Sequence, residues 1–144
     1  VNRHLSRCLA LEALYAAEQG TTGDIDCRVL RERADERGAA EPRSVAERAC
    51  GLAEAVWQRR AALDTVLEKA SERWRVGRMP VIDRNVLRIG VLELLDGSEP
   101  PAVVIDEAVR LAKEYSTARS GAFVNGILGR VLRDVAPAEN SGPR

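Results

Sequence analysis

Residues 82–96 constrain the fold more than any other stretch of the chain. Ile82, Val86, Leu87, Ile89, Val91, Leu92, Leu94 and Leu95 fall on nearly every side of a helix turning by about 100° per residue. A helix that is apolar all round must be buried, so other helices have to cover it. Aromatics make up only 3% of the 144 residues, so the cover must come from Leu, Val, Ile and Ala. That composition suits packed helices better than sheets. Arg88 and Glu93 interrupt the apolar surface. A buried arginine needs a carboxylate; Glu107, near the start of the next helix, is the expected partner, with Glu93 as second choice.

The flanking segments are amphipathic at helical spacing and show no strand-like alternation. Residues 4–19 carry Leu5, Cys8, Leu9, Leu14, Tyr15 and Ala16 on a broad apolar surface. Residues 24–37 predict a charge-dense, partly peripheral helix. Ser44-Val45-Ala46-Glu47 has the form of a capping box and opens a helix that buries Val45, Ala49, Leu52, Ala53 and Val56. Leu63, Val66, Leu67, Ala70 and Trp74 continue the stripe after a kink. Beyond the central helix, Asp96-Gly97-Ser98-Glu99-Pro100 is a stop signal, and Pro101 suits the first turn of a helix over 101–115. A polar loop at 116–120 precedes a last helix over 121–135. The expectation is one all-α domain over 1–136, followed by a disordered tail over 137–144.

Charge and cysteine usage narrow the function classes. Lys+Arg and Asp+Glu both number 22, so no overall positive field draws the chain to nucleic acid; any such site rests on local clustering. Cys8, Cys27 and Cys50 are odd in number and widely spaced, which suggests neither a disulfide framework nor a zinc site. Cys8 and Cys50 read as small core residues. His4 is the only histidine, and no phosphate loop, dinucleotide turn, HExxH pair or nucleophile elbow is present. Catalytic residues, metal ligands and cofactors are therefore not expected; the chain reads as a binding protein. No stretch approaches the roughly 18 apolar residues of a membrane span. Arg3, Arg7, Glu12 and Glu18 break up any signal-peptide pattern, so the cytoplasm is the expected compartment.

Two local features bear on binding. Arg3 and Arg7 lie four residues apart at the start of a helix, beside His4 and with no acid among the first ten residues. On one helix face they suit phosphate, and the helix dipole adds to the field; the plainer reading is a solvated terminus. On the last helix, Gly126, Gly129, Arg130 and Arg133 share the side opposite Val124, Leu128 and Leu132, which suggests close approach by another backbone. Phe123 and Asn125 open this helix. An aromatic ring and an amide near arginines suit an unpaired base, whereas Phe123 alone reads as core.

Three ordered runs carry a resemblance. Val86-Leu87-Arg88-Ile89-Gly90-Val91-Leu92-Glu93-Leu94, Ile105-Asp106-Glu107-Ala108-Val109-Arg110-Leu111-Ala112-Lys113 and Phe123-Val124-Asn125-Gly126-Ile127-Leu128 resemble the NusB family of bacterial transcription antitermination factors. The run from Arg3 to Tyr15 is similar to that family's arginine-rich opening. The resemblance implies a NusB-like fold, two small packed helical bundles around the buried central helix. It implies binding to boxA, a short single-stranded element of ribosomal RNA precursors, together with the ribosomal small-subunit protein NusE. Other Nus factors then link the pair to an elongating RNA polymerase, which resists termination. By position, Arg3, His4, Arg7, Phe123 and Asn125 match the family's RNA-side residues, and Tyr15 and Asp83 its partner-facing ones. The chain departs from the pattern at His4, where an arginine is usual, at Ala122, where a lysine is common, and at Arg119, where an acid is frequent. Arg119 stands to restore the charge lost at Ala122 and joins the expected RNA side.

Two other readings stay open. The same fold serves as the N-terminal RNA-binding domain of ribosomal RNA cytosine methyltransferases. The polar tail containing Pro137 and Pro143 argues for a natural end instead, and a stop codon after Arg144 would decide. A helical adaptor without an RNA role is the other, which retention on a boxA oligonucleotide would exclude. A homodimer is compatible with any of these.

Overall fold

The computed structural model describes residues 2–20, 23–72 and 74–140, with 136–140 as backbone only. Among these there are seven α-helices and no strand: α1 Arg3–Gln19, α2 Leu30–Glu36, α3 Pro42–Gln58, α4 Arg60–Ala70, α5 Val81–Asp96, α6 Pro101–Tyr115 and α7 Ala118–Asn140, with a 3-10 turn at Val76–Arg78 before α5. No described helix is long and apolar enough to cross a membrane. The helices form two compact units, Val1–Arg59 and Arg60–Arg144, in agreement with the two small bundles expected.

In the first unit α1 and α2 both pack on α3. Leu9, Leu14, Leu30, Ala34, Val45, Ala49 and Val56 are fully or almost fully buried. Ser6 Oγ donates to the Val45 carbonyl at 3.3 Å, which ties α1 to α3. Glu12 on α1 accepts from Arg33 at 3.3 Å and from Arg37 at 2.6 Å, which ties it to α2 and the residue that caps it.

Three expectations for this unit change. The helix expected over 24–37 begins only at Leu30. Asp26 folds its carboxylate onto Arg28, accepting from its backbone N–H and its guanidinium at 3.0 Å, which favours a turn over a helix. These side-chain and backbone hydrogen bonds hold the Asp26 carboxyl down at about 2. Cys27 is bonded to Cys50 with their Cα atoms 5.6 Å apart, so a disulfide is present and Cys50 is no simple core residue. A pairing across 23 residues leaves no local signal in the sequence. Finally, α3 starts at Pro42, ahead of the capping box at Ser44. Proline at the first helical position lacks only an N–H that the helix would leave unbonded anyway.

The second unit is built on α5, which touches α4, α6 and α7. Val86, Leu87, Ile89 and Val91 are buried there, but Leu95 is 42% exposed, so the cover expected on every side is complete only over the middle of the helix. Gly90 lets α7 come close: a Cβ at this position would lie 2.6 Å from Leu128 Cδ1. Gly97, at φ 70°, closes α5 in the left-handed region that favours glycine. Arg88 is buried and pairs with an acid that the sequence reading did not single out. It donates from Nε and Nη2 to Asp64 on α4 at 2.7 and 2.8 Å, and from Nη1 to Asn85 at 3.1 Å. Asp64 follows Leu63, which is fully buried, so α4 packing delivers a carboxylate to the α5 surface.

The expected loop at 116–120 shrinks, because Thr117 Oγ1 accepts from the Ser120 N–H at 3.0 Å and caps α7. At its other end α7 runs through Pro137 to Asn140, past the boundary expected at 136. Proline there costs one hydrogen bond, and the flanking Ala136 and Ala138 favour helix. Residues 141–144 of the expected tail lie outside the described residues.

Candidate nucleic-acid interface

The expected site residues fall into two groups, one in each unit. On α1, Asn2 caps the helix by accepting from the Leu5 N–H at 2.9 Å, and the first turn carries no acid. Arg3 is exposed and His4 half-buried, with its Nε2 3.4 Å from Cys8 Sγ. Arg7 is only 4% exposed, so little of it is offered to a ligand. Tyr15 is 44% exposed near the other end of the helix.

In the second unit, the first turns of α7 bring Arg119 and Phe123 to one face, four residues apart. Arg119 and Asn125 are exposed and Phe123 is half-buried. Beside them opens a cleft of about 280 Å³, which Phe123 and Arg119 line from α7 and Asp83 from α5. Asp83 is 4% exposed, which leaves little carboxylate for a flat protein interface. Its Oδ2 accepts from Ser120 Oγ at 3.0 Å, and its Oδ1 is buried without a hydrogen-bond partner among the described residues. Ser120 is itself held by Ser116 Oγ at 2.9 Å and Thr117 Oγ1 at 3.2 Å.

The opposite wall comes from the segment before α5, where Trp74, Arg78, Met79 and Pro80 line the cleft. Sequence reasoning missed Trp74 and Arg78 as site residues. Trp74 fell on the apolar stripe of the preceding helix, but α4 ends at Ala70, and the indole is 55% exposed. A large aromatic four residues past the last turn, beside arginines and a proline, was the available signal. The glycine face of α7 is open: a Cβ at Gly126 would meet nothing within 4 Å, so no close backbone approach explains it.

Cys27, Cys50 and Glu54 carry donor atoms near enough to share a metal ion. The two sulfurs are bonded to each other, which removes both thiolates as ligands. What the second-unit cluster offers is one apolar wall pair, two exposed guanidinium groups and one buried acceptor.

Residues 4–133 match the model of the NusB family. The chain belongs to the NusB family. It is 41% identical over 136 residues to the transcription antitermination protein NusB of Anaeromyxobacter dehalogenans strain 2CP-1, covering 94% of each protein. It is 44% identical over 136 residues to that of Sorangium cellulosum, covering 92% of this chain and 93% of the relative. Among solved structures, T. maritima NusB superposes with a TM-score of 0.80 at 34% identity, over 96% of both chains. A crystal structure of the antitermination factors NusB and NusE in complex with double-stranded RNA contains a chain similar at TM-score 0.75 and 27% identity, over 92% of this chain and 96% of that one. Family membership thus extends over both units and includes the weakly patterned segment between residues 24 and 75.

Proposed function

We propose that the chain is an RNA-binding transcription antitermination factor that binds boxA of ribosomal RNA precursors together with NusE and, through other Nus factors, helps RNA polymerase resist termination. The observation that carries this reading is the match to one family over residues 4–133, whose relatives bear the name transcription antitermination protein. The related chain crystallised with NusE and RNA supports both kinds of partner. The protein works in the cytoplasm, by binding, and carries out no reaction.

Residue roles follow from exposure and chemistry. Arg3, His4 and Arg119 supply phosphate contacts. Arg7, which is nearly covered, supports the α1 opening and offers at most its tip. Phe123 stacks on a base, and Asn125 presents an amide to a base edge. Tyr15 faces NusE with a ring that packs and a hydroxyl that bonds, and Asp83, at the start of α5, is the second NusE-facing position.

The test is binding of labelled boxA RNA and a scrambled control, with and without NusE. The mixture should bind boxA more tightly than either protein alone and more tightly than the scrambled RNA, because a second subunit adds contacts and orders the site. Equal affinities for boxA and the control, with NusE adding nothing, would remove the proposal.

A further inference from the structure

Glu54 lies one turn after Cys50 on α3, so the two side chains share a face. Its Oε1 is 2.8 Å from Cys50 Sγ and 3.9 Å from Cys27 Sγ, and no arginine or lysine pairs with it among the described residues. Both sulfurs are committed to the disulfide and carry no proton. An exposed carboxylate thus faces two sulfurs that offer it no hydrogen.

The grouping does not depend on the sulfur bond. Cys27 is carried by the turn that Asp26 and Arg28 form, and the chain is fastened to α3 on either side of it. Trp57 Nε1 on α3 donates to the Gly23 carbonyl at 2.7 Å. Leu30, 2% exposed, opens α2, which packs on α3. Breaking the bond therefore leaves Cys27 beside Cys50 and Glu54. The three donor atoms lie within 4.8 Å of one another. A tetrahedral zinc ion holds thiolates at about 2.3 Å and a carboxylate at about 2.1 Å, which spaces the donors about 3.5 Å apart. Small rotations about the side-chain bonds cover the difference. The two cysteines are half-buried, Glu54 is exposed and Cys27 lines a surface groove, so a small reductant and an ion both have access. Thiolates select a soft or borderline cation over magnesium and calcium, which take oxygen ligands.

We propose that reduction converts the Cys27–Cys50 disulfide into a zinc site, with both thiolates and the Glu54 carboxylate as ligands and water in the fourth position. A dithiol supplies two electrons and two protons. The sulfur bond breaks, Cys27 and Cys50 become thiols, and the reductant becomes a disulfide. Zinc then binds the two sulfurs as thiolates, and their protons go to solvent. The segment before α2 is clamped to α3 in both redox states, by a covalent bond in one and by the metal in the other. The site belongs to the first unit and is independent of the RNA reading.

The test uses the full chain, either oxidised or reduced with a dithiol that is then removed without air. Cobalt(II), a coloured stand-in for zinc, reports thiolate ligation by a sulfur-to-metal charge-transfer band, and a chromogenic chelator competes for zinc. The reduced chain should bind one cobalt with that band, and zinc should displace it with release of about two protons at pH 7, where free thiols are protonated. Zinc should raise the melting temperature of the reduced chain and leave that of the oxidised chain unchanged. Cys27→Ser should weaken the band and the zinc affinity together. Glu54→Gln, at an exposed position, should keep the band and lower zinc affinity about tenfold or more, since altering even a hydrogen-bond partner of a metal ligand costs that much. Equal zinc binding by the two redox states, or no band in the reduced chain, overturns the site. So does unchanged affinity in Glu54→Gln. Unchanged affinity in Cys27→Ser overturns it too and moves the metal elsewhere, with Cys8 and His4, 3.4 Å apart, as the next pair to test. If Cys27→Ser does not fold, alkylation of the unmodified reduced chain decides: zinc should protect Cys27 and Cys50 from iodoacetamide, and unprotected thiols would overturn the proposal.

Discussion

Inside the second unit Arg88 donates to both oxygens of Asp64 and to Asn85. That an arginine in an apolar helix must be paired was legible from residue type alone. Which carboxylate pairs with it was not, because the choice depends on how α4 lies on α5, and Asp64 is 24 residues away. Arg88→Ala should cost about 3 kcal/mol in urea unfolding, the low end for a broken buried pair, since the Asp64 side chain remains 27% exposed to water. A loss near 0.5 kcal/mol would mark the pair as equivalent to a surface ion pair. The two arginines of the α1 opening should also separate. Arg3→Ala should leave the melting temperature unchanged and lower the salt dependence of RNA binding by about 0.7, one phosphate contact on a single strand. Arg7→Ala should lower the melting temperature, because Arg7 is 4% exposed. Phe123→Ala, in a protein whose melting is checked first, should cost about 1–3 kcal/mol of RNA affinity; unchanged affinity would remove stacking at that ring.

At the level of elements, helical periodicity was legible wherever the stripe was long and closed by a stop signal. α5 and α6 appear within a residue of their expected bounds, and both end where glycine or the Ser116 turn interrupts the pattern. Legibility failed where a contact distant in sequence overrides local preference. The segment over 24–29 was expected to belong to the helix, yet Asp26 turns the chain and Cys27 is bonded to Cys50 on α3. Titration of thiols in denaturant should therefore count one, Cys8, before reduction and three afterwards. Reduction should destabilise the protein by about 3 kcal/mol, the loop-closure value for a separation of this order. Three reactive thiols before reduction would contradict the pairing. The glycines of α7 give a second check. Gly126 is exposed, with open space around its would-be Cβ, so Gly126→Ala should stabilise the helix by about 0.5–1 kcal/mol. If the same variant weakens RNA binding, the open face is where the strand passes.

For the molecule as a whole, the balance of 22 basic and 22 acidic residues sets the terms of function. Without a net field, affinity for RNA rests on a few placed groups and on a partner that adds more. Tyr15, 44% exposed on α1, is the residue through which that partnership is most simply tested. Tyr15→Ala should keep the melting temperature and weaken NusE binding; normal NusE binding would put the interface elsewhere. The candidate site was half legible. Arg119, Phe123 and Asp83 were named from the sequence, and the structure gathers them around one cleft. Trp74 and Arg78 were not, because their part in it depends on where α4 stops. The claim that joins these parts is antitermination itself. It is measured by transcribing a template with boxA upstream of a terminator in a reconstituted system of RNA polymerase, NusE and the other Nus factors, with and without this protein. More readthrough is expected when the protein is present, and none of that gain on a template with a scrambled boxA. Readthrough that is the same with and without the protein, or that rises equally on the scrambled template, would contradict it.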